Sequence, residues 1–241
     1  MAHVIAVAGK GGVGKTTLCG MLIQYLCEKK KGPVLAVDAD ANSNLNEVLG
    51  VEVEMTLGEV REQIENAANS AKSPIPPSMS KADYAEIMMN RCLVEEDDYD
   101  MLVMGRTQGK GCYCFVNGLL QAQLAKYQNN YPYIVVDNEA GMEHISRGVL
   151  PSMQTAILVS DDILAVSLER VCLETHLSIP EDLSIISFNN SLFARSTSPQ
   201  LTSIDINSKQ LGIEAASQII NHIENPNLVA TKIIVPHQLI E

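Results

Sequence analysis

GKGGVGKTT, residues 9–17, is the stretch that decides how this 241-residue chain folds. It follows the apolar run His3–Ala8, which predicts a buried strand ending in glycines. After the glycine-rich stretch, apolar residues recur at helical spacing over Thr16–Lys30, which predicts a helix. The spacing fits the pattern G-x-x-x-x-G-K-[ST] from Gly9 to Thr16. A phosphate-binding loop is therefore expected between the first strand and the first helix.

Each residue type in this stretch suits a polyphosphate. Glycines let backbone N–H groups approach phosphate oxygens, and the following helix adds unpaired N–H groups and the positive end of its dipole. Lys15 can reach the β- and γ-phosphates, the Thr16 hydroxyl can ligate Mg²⁺, and Thr17 can contact the α-phosphate. The residues predicted to bind nucleotide here are Gly9, Gly11, Gly12, Val13, Gly14, Lys15, Thr16 and Thr17.

Acidic residues follow two further predicted strands. Asp38 and Asp40 come directly after the second strand, and Asp137 follows Tyr133–Val136. The carboxyl ends of parallel strands share one edge of a sheet, so these carboxylates are expected beside the phosphate-binding loop.

The composition excludes several classes of protein. Lys and Arg total 17 against 29 Asp and Glu, and the net charge of −12 argues against binding to nucleic-acid backbones. No apolar run approaches the roughly 20 residues of a membrane span. Lys10 and Lys15 stand where a secretory signal would carry its apolar core. A cytoplasmic location is expected, with the six cysteines as thiols or metal ligands.

Strands alternate with helices along the chain, which predicts an α/β fold with a mostly parallel sheet sandwiched by helices. The predicted strands are His3–Ala8, Pro33–Val37, Met101–Met104, Tyr133–Val136, Thr155–Ser160, Leu183–Phe188, Leu201–Ile206 and Thr231–Val235. The predicted helices are Thr16–Lys30, Thr56–Ala68, Phe115–Tyr127, Asp162–Thr175 and Ser208–Ile223. On the first helix, one apolar side is expected to comprise Leu18, Met21, Leu22, Tyr25 and Leu26. Residues 70–80 are expected to cross the surface, and Glu95–Asp100 to form a solvated acidic loop.

A second chemical signal is the pair Cys112 and Cys114 in a glycine-rich stretch. In extended backbone, residues two apart face the same way, so the two thiolates can share one soft metal ion. They supply half of a tetrahedral site, and a second copy of the chain would supply the rest. The alternative is a pair of unliganded cysteines. The helical cysteines Cys19, Cys27 and Cys172 are expected in the core.

The additional lysine at position 10 makes the loop resemble the deviant P-loop family, which includes the nitrogenase iron protein and the Min and Par ATPases. That resemblance implies that Lys10 reaches the nucleotide of a partner subunit and that Asp40 orients the attacking water. It also implies that Asp38 supports the Mg²⁺ shell, that Asp137 is the Walker B carboxylate and that Gly141 is a switch glycine.

Three further stretches, VDADANSNL, GRTQGKGCYC and VVDNEAGMEHISRG, resemble the nickel-insertion ATPases of carbon monoxide dehydrogenase and acetyl-CoA synthase (the CooC/AcsF group). The likeness covers residues 1–160. In that group ATP drives dimer closure, and the cysteine pair binds Zn²⁺ or Ni²⁺ between subunits. The resemblance implies ATP or ADP with Mg²⁺, and a homodimer joined through Lys10 and the cysteine loops.

From residue 161 onward the chain resembles the effector-binding domain of the LacI/GalR repressors. The likeness is carried by DDILAVSLERVCLETHLSIPEDLSIISFNNS and LTSIDINSKQLGIEAASQIINHIENP. The composition changes at the same place, because all ten methionines stand at or before Met153 and every glycine except Gly212 stands before residue 161. One composite domain over residues 1–241 is expected. Its seam near 158–162 would join a P-loop NTPase-like part to a periplasmic-binding-protein-like part.

Two functions follow from these patterns. The first is an ATP- or ADP-binding protein of the nickel-insertion type, an engineered chimera with weak or no ATP hydrolysis; a natural recombinant is the alternative origin. The second is a non-catalytic chimera with vestigial nucleotide and metal loops, and a sugar-binding module ranks below both.

Asn189, after the strand Leu183–Phe188, is expected to replace the asparagine that contacts adenine in the ATPases; the alternative is a turn asparagine.

Overall fold

A computed structural model describes residues 2–69, 75–76, 78–106, 113–138, 155–229 and 231–241. The chain forms two compact units. The first contains the residues up to Leu158 together with Pro180–Ser184, and the second contains Val159–Ile179 and Ile185–Glu241.

Strands and helices alternate, as the sequence predicts. The strands are β1 (His3–Ala8), β2 (Val34–Ala39), β3 (Leu93–Glu95), β4 (Tyr99–Val103), β5 (Tyr133–Asn138), β6 (Thr155–Val159), β7 (Leu183–Phe188), β8 (Ser203–Asp205) and β9 (Gln238–Ile240). The helices in the described ranges are α1 (Lys15–Glu28), α2 (Leu45–Leu49), α3 (Leu57–Asn69), α4 (Lys81–Asn90), α5 (Tyr113–Tyr127), α6 (Asp162–Glu174), α7 (Leu192–Ser196) and α8 (Ser208–Glu224).

The sheet of the first unit has the strand order β3-β4-β2-β5-β1-β6. β2 runs parallel to β4 and β5, β5 runs parallel to β1, and β3 joins the edge antiparallel to β4. All six residues of β2 are buried, as expected for a central strand covered on both faces. The predicted α/β fold with a mostly parallel sheet is confirmed.

The register of these strands brings their carboxyl ends to one level. Val7 of β1 and Asp38 of β2 both pair with Asp137 of β5. The loop that follows β1 and the acidic residues that end β2 and β5 therefore lie at the same edge of the sheet.

The buried side of helix α1 overlaps the expected one only in part, because Leu26 is buried and Leu18 and Leu22 pack against the core. Its buried residues are Cys19, Gly20, Ile23 and Leu26, whereas Met21 and Tyr25 are each 55% exposed. The core below the helix contains Val7, Cys19, Ile23, Leu26, Val34, Ala36, Leu45, Met101, Val103 and Val135. Because apolar residues surround most of α1, periodicity alone did not identify the buried side.

Several elements of the first unit were not predicted. Helix α4 begins with a capping box, in which the Ser80 hydroxyl accepts from the Asp83 N–H at 3.1 Å and the Asp83 carboxylate accepts from the Ser80 N–H at 3.4 Å. The acidic stretch after it is the turn of a hairpin, since Glu95 pairs with Asp100 across β3 and β4. Only residues 96–98 form the exposed acidic turn.

The second unit contains a small sheet in which β7 and β8 are parallel and β9 is antiparallel to β8. The predicted strand Thr231–Val235 is wrong, because the last strand is Gln238–Ile240. Pairing of Ile240 with Ser203 decides its position, and β-propensity does not indicate this pairing. Among all described residues, no helix has the length and apolarity needed to cross a membrane.

Candidate functional site

The glycine-rich loop connects β1 to α1 in the first unit. Gly12 has φ +77° and Gly14 has φ +88°, a left-handed conformation that residues with a side chain rarely adopt. No atom of the described part of the chain lies within 4 Å of a Cβ built at either position, so backbone conformation and not space requires glycine here. Residues 10–14 are exposed, which leaves the loop open to a ligand.

The two lysines of the loop differ in their contacts. The Lys15 ammonium donates a hydrogen bond to the Lys10 carbonyl oxygen at 3.2 Å and so lies against the loop. The Lys10 side chain is exposed, Thr16 is half-buried and Thr17 is exposed. Lys15 and Thr16 thus stand at the start of α1, as the sequence predicts.

Asp38 and Asp137 form a side-by-side pair of buried carboxylates. They are register partners on adjacent parallel strands and are 0% and 1% exposed. Paired residues of parallel strands project to the same face of the sheet.

Asp38 uses both carboxylate oxygens to hold the loop that follows β2. Oδ1 accepts from the Asp40 N–H at 3.0 Å, and Oδ2 accepts from the Leu45 N–H at 2.9 Å. Burial raises the pKa of Asp38 to about 6, against the opposing effect of these backbone hydrogen bonds. Its predicted place in a Mg²⁺ shell stays a prediction, while the structure gives it a second task as loop anchor.

One carboxylate oxygen of Asp137 has no hydrogen-bond partner among the residues that the structure describes. Its Oδ1 is buried and accepts no hydrogen bond in the described part of the chain. Burial raises the pKa of Asp137, although the Thr16 hydroxyl and the Lys15 charge act in the opposite direction. A buried acceptor without a donor is costly unless a ligand uses it. The Thr16 hydroxyl and the Asp137 carboxylate are the oxygen ligands that Mg²⁺ prefers, so these residues fit that ion.

Asp40, predicted to orient water, is folded into a local turn. Its Oδ1 accepts from the Asn42 N–H at 2.8 Å, and its carbonyl oxygen accepts from the Ser43 N–H and hydroxyl at 3.1 and 3.2 Å. The Asn42 side-chain oxygen in turn accepts from Arg106, which follows β4. Sequence reasoning assigned no role to Arg106, because nothing in the pattern links it to a residue 64 positions earlier.

Asn138 is a second residue that sequence reasoning missed. Its side chain is buried, and its amide donates to the Val7 carbonyl oxygen at 3.1 Å. The bond ties the end of β5 to β1 directly before the glycine-rich loop. Gly141, predicted as a switch glycine, lies outside the described residues.

The metal site predicted at the cysteine pair stays a prediction, because only one residue of the pair is described. Cys112 lies outside the described residues, and Cys114 is the second residue of helix α5. The backbone at Cys114 is therefore helical where the sequence predicted an extended one. Within the described ranges, no group of three or more His, Cys, Asp or Glu side chains is placed to hold a metal ion. Cys19 and Cys172 are buried, as predicted, and Cys27 is half-buried.

Asn189 lies in the second unit, directly after β7. It is exposed, has φ +97°, and its N–H donates to the Ile204 carbonyl oxygen at 2.9 Å. These features are those of a turn residue. Its proposed contact with adenine stays a prediction.

Comparison with known proteins gives two family matches. Residues 2–174 match the model described as AAA domain, and residues 116–241 match the model described as periplasmic binding protein-like domain. The two matches overlap between residues 116 and 174.

Individual relatives match the first part. An uncharacterized ATP-binding protein of Methanocaldococcus jannaschii is 45% identical over 158 residues, covering 66% of this chain and 61% of the relative. The carbon monoxide dehydrogenase accessory protein CooC of Rhodospirillum rubrum is 30% identical over 166 residues, covering 64% of this chain and 61% of CooC. The chain thus spans about six tenths of the length of these curated relatives.

A solved structure shares the fold. The ParA family ATPase from Chlorobium tepidum superposes with a TM-score of 0.51 at 20% identity, covering 83% of this chain and 77% of the other. The predicted resemblances to nickel-insertion ATPases and to a periplasmic-binding-protein-like domain are both confirmed. The chain has a P-loop NTPase fold and belongs to the AAA domain family over residues 2–174 and to the periplasmic binding protein-like domain family over residues 116–241.

Proposed function

We propose that this chain binds ATP and ADP, together with Mg²⁺, at the loop of residues 9–17. The observation that carries the proposal is the buried, unpartnered Oδ1 of Asp137 beside Thr16 at the start of α1. A glycine loop with two left-handed residues precedes it. The named relatives that bind ATP or serve carbon monoxide dehydrogenase support the same assignment.

The site residues divide the work of holding a polyphosphate. Loop N–H groups and the α1 terminus would surround the phosphate oxygens. On nucleotide binding, the Lys15 ammonium would leave the Lys10 carbonyl oxygen and contact the β- and γ-phosphates. Losing this exposed hydrogen bond costs little free energy. Thr16 and Asp137 would hold Mg²⁺, which shields phosphate charge when bound.

We also propose that hydrolysis is weak or absent in the isolated chain. The Asp40 carboxylate accepts from the Asn42 N–H, so orienting a water molecule requires the turn to rearrange. The exposed Lys10 is free to serve a partner subunit only after a homodimer forms. Size measurements with ATP and with ADP would test this step, and an identical monomer in both would count against a nucleotide-driven dimer.

Calorimetry with ADP and Mg²⁺ tests nucleotide binding directly. Lys15→Ala should weaken binding about 10- to 100-fold, because a charge-assisted contact with phosphate is lost. Lys31→Ala is the matched control, since this exposed lysine follows α1 at its other end. Equal heats from the wild type and Lys15→Ala would instead favour the non-catalytic chimera with vestigial loops.

The chimeric origin and the single composite domain are proposals that the overlapping family matches support. A composite domain with one core should unfold in a single cooperative transition by calorimetry. Two separate transitions would contradict it.

Metal analysis of a Cys112→Ser/Cys114→Ser variant tests whether the cysteine pair holds Zn²⁺ or Ni²⁺.

A further inference from the structure

The 17-residue helix α8 of the second unit turns its polar side toward the protein. No residue of Ser208–Glu224 is buried, and the structure describes this helix in full. Five of its residues are half-buried, and all five are polar: Gln210, Glu214, Gln218, Asn221 and His222. They recur every three or four positions, so they lie on one side of the helix.

The side of α8 that faces solvent is apolar. Its four isoleucines keep between 53% and 73% of their surface exposed: Ile213, Ile219, Ile220 and Ile223. Together with the exposed Ala216 they form a continuous stripe, which we call the isoleucine face. A helix normally buries its apolar stripe, and a continuous exposed one marks an interaction surface.

The chain that follows α8 returns along the polar side of the helix. The Thr231 hydroxyl donates to the Gln218 side-chain oxygen at 3.4 Å. Gln218 is one of the half-buried polar residues, so among the described residues this contact leaves the isoleucine face uncovered. The isoleucine face is thus available to a second molecule.

The area of this surface suits a pair of copies. At these exposures, the four isoleucines and the exposed small residues Gly212, Ala215 and Ala216 present roughly 550 Å² per copy, so a symmetric pair covers roughly 1,100 Å² in total. Specific interfaces begin at about 1,000 Å². The isoleucine face is therefore large enough for a specific contact, at the low end of the range.

The isoleucine face is complementary to a second copy of itself. In an antiparallel pair with its two-fold axis midway between residues 216 and 217, Ile213 of one copy lies opposite Ile220 of the other. Lys209 of one copy then lies opposite Glu224 of the other, at both ends of the pair, and both residues are exposed. Ala216 stands at the axis, where a small side chain lets two helices approach closely.

We propose that the isoleucine face binds the same face of a second copy of this chain, as an antiparallel pair of α8 helices. The pairing covers the four isoleucines in both copies and places two pairs of Lys209 and Glu224 at its rim. A two-fold interface of this kind closes at the dimer, because each copy uses its face once. It needs no nucleotide, so the inference goes beyond the proposed function and is separate from the dimer through Lys10.

Sedimentation of the full chain without nucleotide tests the dimer. The wild type should sediment as a dimer at about 100 μM, since interfaces of this size often have micromolar dissociation constants. Ile220→Glu should weaken the dimer about 100-fold, because it places a carboxylate in the apolar contact with Ile213. Ile220 is 53% exposed in the single chain, so the variant should keep the circular dichroism spectrum of the wild type.

Leu173→Glu is the matched control. Leu173 is 75% exposed on α6, so this substitution changes the net charge equally and leaves α8 untouched. The dissociation constant of the dimer should stay within about twofold of the wild type. An equal loss of dimer in Leu173→Glu and Ile220→Glu would show that added charge, and not the isoleucine face, controls association, and would overturn the proposal.

Reversing the two end charges tests the antiparallel direction. Lys209→Glu and Glu224→Lys should each weaken the dimer about three- to tenfold, because like charges then face each other at both ends. The double variant Lys209→Glu/Glu224→Lys restores opposite charges and should return to within about twofold of the wild type. Single variants without effect, or a double variant without rescue, overturn the antiparallel pairing.

The remaining outcomes separate this dimer from the nucleotide site. A wild type that stays monomeric overturns the proposal, as does a dimer that Ile220→Glu leaves intact or an assembly larger than two copies. ADP binding should be equal in the wild type and Ile220→Glu. Failure of the wild type to bind ADP overturns the proposed function and leaves the sedimentation result unaffected. Ile220→Glu also supplies the monomer in which a change of size with ATP reports the dimer through Lys10.

Discussion

Asp38 and Asp137 are paired neighbours on parallel strands, and both are buried, yet their carboxylates have different partners. Asp38 accepts two backbone N–H groups, from Asp40 and Leu45. Within the described ranges, no donor reaches Oδ1 of Asp137. One aspartate is therefore committed to the loop after β2, and the other is available to a ligand.

Removing the charge of Asp137 should stabilise the free protein and weaken its ligand binding. Asp137→Asn should raise the free energy of unfolding by about 1 kcal/mol, because an incompletely satisfied buried charge is lost. It should also remove the Mg²⁺ dependence of ADP binding, since a carboxylate ligand is gone. Urea unfolding and calorimetry on the same variant check both effects. A destabilised variant with unchanged Mg²⁺ dependence would contradict the assignment of this residue.

Asp38 should make stability fall as the pH rises. Its pKa is raised from an ordinary value of 3.8 to about 6, so the folded state holds the proton more tightly than the unfolded state. This contribution is fully present below pH 4 and is lost as the pH approaches 6.

The variant Asp38→Asn isolates this effect. Relative to the wild type, it should gain about 2 kcal/mol of stability between pH 4 and pH 7, because it has no proton to lose. Its asparagine has only one acceptor oxygen, so the Asp40 or the Leu45 N–H should exchange faster with solvent. A stability difference that is independent of pH would refute the raised pKa.

In the second unit, Asp162 at the start of α6 joins three other segments. It accepts from the Ser187 hydroxyl of β7, from the Ser203 hydroxyl of β8 at 2.8 Å, and from the Ser191 N–H before α7 at 2.6 Å. Burial alone would raise the pKa of Asp162, but these hydrogen bonds outweigh it and hold the pKa below its ordinary value. The carboxylate thus organises this unit in its ionised form.

Asp162→Asn should destabilise the second unit by about 2–4 kcal/mol, because an amide cannot accept all three bonds. Hydrogen exchange over residues 185–205 measures the loss. Asp161→Asn is the control: Asp161 caps α6 through the Leu164 N–H at 3.0 Å, and asparagine caps equally well. Equal protection in both variants would show that the network contributes little.

Two helical glycines should respond oppositely to alanine. A Cβ at Gly58 of α3 would lie 2.5 Å from the Arg106 carbonyl oxygen, which belongs to the backbone. Gly58→Ala should therefore cost about 1–3 kcal/mol. At Gly118 of α5, no atom of the described residues lies within 4 Å of an added Cβ, so Gly118→Ala should stabilise the chain by about 0.5–1 kcal/mol. Paired urea titrations compare the two variants. An unchanged free energy of unfolding in Gly58→Ala would show that α3 can move away from the backbone at Arg106.

Local features of the sequence were sufficient to predict the glycine loop, the α/β alternation and the acidic ends of β2 and β5. These depend on short-range rules: glycine permits positive φ at Gly12 and Gly14, and parallel strands align their carboxyl ends. Stretches that resemble two different families also predicted that the chain has two parts.

The buried face of α1 and the contacts of each aspartate depend on tertiary packing, which the sequence pattern does not indicate. Met21 and Tyr25 are exposed while Cys19 is buried, because packing on the sheet selects one side of a helix that is apolar on most sides. Asp38 accepts from the Leu45 N–H seven residues later, and the Asn138 amide donates to the Val7 carbonyl oxygen across 131 positions. Contacts between residues far apart in sequence leave no periodic pattern, so only folding the chain reveals them.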